Sequence, residues 1–230
     1  TGNTFEMGSG NVTLYAVWSE VGADQSLRSQ LLLCGSSSRN VVGLIPDGAA
    51  LDVVISCNPD EDTQAMIVTR SGRGEFVAPG SGYNEDDLRE WVQDGGILLT
   101  EYSATVDVYN AVFSSGASDQ GSRRGSCKDV APTVVQYNSD DLFWKNNVFE
   151  QINENQSGCG FPIGAWPDVV DLAGWDQYSV SIGYRDYGYG RVWLTYFDWQ
   201  DNDYQGNFPY SASLLGYMIT HRAEVYVPPQ

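Results

Sequence analysis

The feature that most constrains this chain is a series of short, unbroken apolar runs separated by helix-forming or turn-forming stretches. QLLLC (residues 30–34), LDVVISC (51–57), AMIVT (65–69) and ILLTEY (97–102) are nearly free of polar interruption. A strand wetted on one side alternates apolar and polar residues. A strand covered on both faces reads as a continuous apolar run, the signature of parallel sheets flanked by helices. The intervening segments supply such helices. NEDDLREWVQ (84–93) has an asparagine cap, acids in its first turn, Leu88, Trp91 and Val92 on one face, and a Gly95-Gly96 stop. Residues 38–45 begin at a serine cap, and 106–113 form a further helix after the fourth run. The expected fold class is α/β, a three-layer, open, mostly parallel sheet.

The second half is less regular. Residues 114–160 carry Gly, Ser and Asp clusters and read as an insertion. Residues 178–184 and 191–198 alternate like a hairpin around Tyr-Gly-Tyr-Gly, and SASLLGYMITHR (211–222) reads as a closing helix. Residues 28–227 thus form one domain. Sites in open α/β sheets lie beyond the carboxyl ends of the strands. That directs attention to residues 34–38, 58–62, 71–74, 101–103 and 198–203.

Four cysteines, widely spaced and without a Cys-x-x-Cys pair, fit two disulfides formed in an oxidising compartment. Cys34 and Cys57 each end an apolar run. If those runs are neighbouring parallel strands, the two side chains lie side by side, leaving Cys127–Cys159 as the second bridge. Free buried thiols in a reducing compartment are the other reading. Thirty acids against twelve Lys and Arg give a net charge of −18. Such a surface repels nucleic acid and anionic lipid. Since no apolar run reaches the ~20 residues of a membrane span, no membrane insertion is expected.

The first twenty residues differ from the rest. TFEMGSGNVTLYAVW (4–18) reads as an N-terminal β-hairpin around Gly-Ser-Gly-Asn. It resembles the last third of a Listeria–Bacteroides (internalin B-type) repeat, ending in Thr-Phe-x-Met followed by Asn-Val-Thr-Leu-Tyr-Ala-x-Trp. Thr4, Phe5, Met7, Asn11, Val12, Thr13, Leu14, Tyr15, Ala16 and Trp18 match it. The resemblance implies that residues 1–20 end a repeat in a bacterial surface or secreted protein.

The main domain resembles the class I glutamine-amidotransferase-like fold and its ThuA-like relatives, an open sheet of flavodoxin type. AMIVTRSGRG (65–74) is similar to the strand and Gly-rich oxyanion loop of that family. LREWVQDGGILLTEY (88–102) is similar to the helix and strand that deliver its nucleophile, and RVWLTYFDW (191–199) to the strand carrying its histidine. The chemistry departs from the pattern. Glu101 stands where the resemblance places a cysteine and Asp198 where it places a histidine, while the sole histidine, His221, falls in the last helix. The resemblance therefore implies a scaffold without its Cys–His pair.

Other chemistry is conceivable from the acids. DNDYQG (201–206) places Asp201, Asp203 and Gln205 at alternate positions before a glycine, as in a calcium loop, though position 12 is Ala212 instead of Glu. NPDEDT (58–63) is a second acidic loop. Glu101 and Asp198 also offer a carboxylate pair for hydrolysis. Tyr187, Tyr189, Trp199 and Tyr204 belong to an aromatic-rich stretch suited either to the sheet core or to a carbohydrate- or protein-binding surface. The expected function is a non-catalytic, extracellular binding, adhesion or surface-assembly module at the cell surface, its partners protein (including self-assembly) or carbohydrate. The alternative is an extracellular hydrolase of glycans or peptides, possible Ca²⁺ binding being compatible with either.

Overall fold

The four apolar runs become neighbouring strands of one eight-stranded sheet. The computed structural model describes residues 28–35, 51–69, 84–101, 104–113, 135–146, 160–162, 164, 166, 168–174, 179–196 and 209–223. In chain order these form β1 (Gln30–Cys34), β2 (Asp52–Ile55), β3 (Thr63–Val68), α1 (Glu85–Gln93), β4 (Ile97–Thr100), α2 (Ala104–Phe113), β5 (Val135–Gln136), α3 (Leu142–Asn146), β6 (Phe161–Pro162), β7 (Val170–Gly174), β8 (Ser179–Val180), β9 (Ile182–Tyr187), β10 (Gly190–Thr195) and α4 (Pro209–Met218). The sheet order is β2-β1-β3-β4-β10-β9-β7-β5, with β6 and β8 paired separately. From β2 to β10 all neighbours are parallel; β9, β7 and β5 add antiparallel pairs. The order of the five parallel strands is that of flavodoxin-like sheets, and the class is α/β.

Alternation along each strand divides the core into two layers. Leu31, Leu33, Ala65, Ile67, Ile97, Leu99 and Trp193 pack against α3 and α4 through Phe143, Leu214, Leu215 and Met218. Leu32, Cys34, Met66, Val68, Leu98, Val192 and Leu194 face α1 and α2 through Leu88, Trp91, Val92, Val108 and Val112. Helix α1 forms as its sequence dictates. Asn84 Oδ1 accepts from the Asp86 N–H at 3.0 Å, Glu85, Asp86 and Asp87 complement the positive helix end, and Leu88, Trp91 and Val92 are buried. Gly95, at φ 104°, turns the chain back toward β4.

One expectation needs correction. The run 51–57 is not a buried strand: among the described residues β2 ends the sheet, and all four of its residues are exposed. No helix covers the step from β2 to β3; residues 56–62 recross β1 in seven residues, where parallel connections usually need a dozen or more. Within 114–160, residues 135–146 are ordered as β5 and α3.

The expected hairpin forms around Tyr-Gly-Tyr-Gly, with its strands at 182–187 and 190–195. Its turn is jammed against the end of α1. A Cβ on Gly190 would collide with the Val92 carbonyl oxygen, and one on Gly188, which adopts φ 64°, with the Gln93 backbone. Tyr189 N–H donates to Gln93 O at 2.8 Å, capping a carbonyl at the helix end, and Arg191 N–H donates to Gly96 O at 3.3 Å where β4 begins. The Tyr-Gly-Tyr-Gly pattern is thus a docking element for α1. The N-terminal hairpin, helix 38–45 and the Cys127–Cys159 bridge lie outside the described residues.

Candidate functional site

The parallel strands reverse direction of growth between β1 and β3, so the switch point lies at the carboxyl ends of those two strands. Cys34 ends β1 and is joined to Cys57 by a disulfide with Cα atoms 4.4 Å apart. Thr69, just past β3, donates both its N–H (3.0 Å) and its Oγ1 (3.1 Å) to Cys34 O. Gly35 follows at φ 120°, a conformation that favours glycine. The disulfide anchors the short 56–62 connection over β1, where a crossover helix would otherwise sit. Both sulfurs are committed to that bond, and neither is a thiolate nucleophile.

Glu101 follows β4 at the same end of the sheet and is 0% exposed. Its N–H donates to Val68 O and its carbonyl accepts from Ala104 N–H, each at 3.0 Å, so it is fixed between β3 and the start of α2. Beside it, three buried threonines knit β4, α2 and β10 together. Thr100 Oγ1 and Thr105 Oγ1 are 2.9 Å apart, Thr195 N–H donates to Thr100 Oγ1 at 2.9 Å, and Thr105 Oγ1 donates to Thr195 O at 2.8 Å. Asp198, Trp199, Asp201, Asp203, Tyr204 and Gln205 lie outside the described residues. Among the described residues no group of three or more His, Cys, Asp or Glu gathers as a metal site, and no helix is long and apolar enough to cross a membrane.

The imidazole is at the other end of the molecule. His221 lies just past α4, where Ile219 O accepts from Gln64 Nε2 at the amino end of β3. Its ring is exposed, stacks 3.7 Å from the Tyr217 ring, and bonds through Nδ1 to Tyr217 O at 2.8 Å. Tyr187 and Tyr189 also sit near the amino ends of the parallel strands, half-buried beside α1, with Tyr187 edge-on to Phe113 at 5.7 Å. The structure therefore does not bring His221, Tyr187 or Tyr189 to Glu101.

A second polar network was not anticipated. Arg191 donates to both carboxylate oxygens of Asp186, its cross-strand partner, at 2.6 and 3.1 Å. Its guanidinium lies 3.8 Å from the centre of the Tyr184 ring, and Tyr184 OH donates to Asp141 at 2.8 Å. Burial alone would lower the Arg191 pKa, but Asp186 outweighs it and the net direction is upward. Burial, then the bond to Asp141, pushes the Tyr184 phenol well above its ordinary range. Opposite charges facing each other across a correctly registered hairpin were the available signal.

No family model matches the sequence, and a search of curated proteins finds no relative. Solved structures do match. Two Salmonella typhimurium proteins described as cytoplasmic align at TM-score 0.52 with 10% and 11% identity, each over 84% of this chain and essentially all of its counterpart (99% and 100%). A ThuA-like protein of Bacteroides uniformis aligns at TM-score 0.52 and 11% identity, over 91% of this chain and 95% of the other. The fold is ThuA-like. At such identities the likeness concerns the backbone alone, and the ThuA-like scaffold carries many possible surfaces.

Proposed function

We propose that this ThuA-like domain is a non-catalytic binding module serving adhesion or surface assembly in an exported bacterial protein. The observation that carries the reading is the state of the strand-end site. The position that resembles a nucleophile holds Glu101, sealed from solvent. The two cysteines at the switch point are bonded to each other, and the imidazole sits at the opposite end of the sheet. A Cys–His mechanism needs a thiolate and an imidazole within hydrogen-bond reach. A disulfide joining the end of β1 to the 56–62 connection supports an oxidising compartment, and the acidic composition suits an exported protein.

The test combines binding and turnover on the same preparation. Soluble cell-wall glycans, extracellular polysaccharides and the protein itself are titrated by calorimetry and sedimentation, while glycoside and peptide substrates are followed for hydrolysis. Saturable binding or self-association without turnover is expected. Turnover that disappears in Glu101→Gln would replace this reading with the hydrolase.

A further inference from the structure

We infer that the open edge of β2 is a docking site for an extended strand from a partner protein, apolar along its length and carrying Lys or Arg at one end. Among the described residues, the exposed large apolar side chains are Val53 (37%), Val54 (39%), Ile55 (65%) and Leu142, so three of the four are consecutive in one edge strand. Natural sheets blunt their edges with charges, prolines or very short strands. The far edge does so, since β5 is only Val135–Gln136. In β2 only Asp52 is charged, and Val53, Val54 and Ile55 carry none of these devices.

The register defines what the edge offers. Asp52 N–H donates to Ser29 O at 2.7 Å and Ser56 N–H to Leu33 O at 3.2 Å, so positions 52, 54 and 56 look inward to β1. Val53 and Ile55 therefore turn their N–H and C=O groups to the open side. Their side chains share a face with Leu31 and Leu33, and Val54 shares one with Leu32, so an added strand would extend both apolar faces.

Charge selects the occupant. Asp52 is exposed at the amino end of β2, and Asp60, Glu61 and Asp62, also exposed, line the same end of the sheet beside β3, where Asp62 O accepts from Ser29 and Gln30 N–H. Ser56, Cys57 and Asn58, at the carboxyl end, are uncharged. With a net charge of −18, a second copy is repelled. An antiparallel strand with lysines at its carboxyl end places them beside Asp52.

This deepens the binding-module reading and rests on it for its biological use, yet the pairing is tested separately. The probe is the labelled peptide acetyl-Val-Thr-Val-Thr-Val-Lys-Lys-amide, followed by fluorescence anisotropy and by amide exchange of the protein. Expected are saturable binding, slowed exchange at Val53 and Ile55, and affinity about tenfold lower for a Glu-Glu copy. A copy N-methylated at alternate amides should not bind, and Ile55→Pro, which removes an outward N–H only, should weaken the parent peptide. Equal binding of the N-methylated copy, or no binding at all, overturns the inference. So does protection of Val53 and Ile55 in the free protein, which would mean that the chain or a second copy already closes the edge. Failure here leaves the binding module standing, whereas turnover through Glu101 removes that reading and leaves the edge result intact.

Discussion

Replacing both Cys34 and Cys57 by alanine tests what holds the switch point together. Alanine avoids placing a hydroxyl beside Leu32, Met66 and Val68, among which Cys34 is buried. The bridge spans a sequence separation of 23 residues. In the chain-entropy model, opening a loop of that size frees the unfolded chain enough to cost about 3.4 kcal/mol. For a chain of this length that corresponds to a fall in Tm of roughly 7–14 °C. Thermal unfolding of the double variant, and of the parent with and without a dithiol, is followed by circular dichroism. The variant and the reduced parent should melt together, well below the oxidised parent. At 25 °C both should keep the native sheet, because β3, β4 and β10 make their contacts without the disulfide. A loss under about 1 kcal/mol, or a parent indifferent to reductant, would refute the view that this bond takes the place of the missing crossover helix.

Three further outcomes are expected. Gly190→Ala should cost about 3 kcal/mol or more, because its Cβ would collide with the backbone oxygens of Val92 and Gly96; Gly164→Ala, with open space but φ 67°, should cost only about 1 kcal/mol in denaturant melts. Asp186→Ala leaves the buried Arg191 guanidinium without its bidentate partner and should destabilise by about 3–5 kcal/mol, read by urea unfolding. Burial raises the Asp171 pKa, against the opposing N–H of Gly164, so its ionised form weakens the fold at neutral pH. Asp171→Asn should therefore raise Tm at pH 7. The advantage should shrink as pH falls and the parent's carboxyl takes up its proton.

The site was legible where local chemistry decides it. Cys34 and Cys57 could be paired from the sequence because each ends an apolar run, and parallel neighbours place such ends side by side. Glu101 could be placed at a strand end from ILLTEY alone. Its complete burial could not, because that depends on α2 starting three residues later and on β3 supplying Val68 O. The Thr100–Thr105–Thr195 network was invisible for the same reason: its members come from β4, α2 and β10, up to 95 residues apart.

By itself, then, the sequence determined the class of fold, since continuous apolar runs between capped helices can be buried only in a sheet covered on two faces. It also determined α1 to within a residue, because capping and dipole effects act within one turn. The tertiary structure decided which strand lies at the edge, and LDVVISC, apolar enough for a centre, became exposed β2. It also decided what the hairpin turn packs on, because Gly188 and Gly190 meet the end of α1. Periodicity reports how a segment can be covered; what covers it is set by residues distant in the chain.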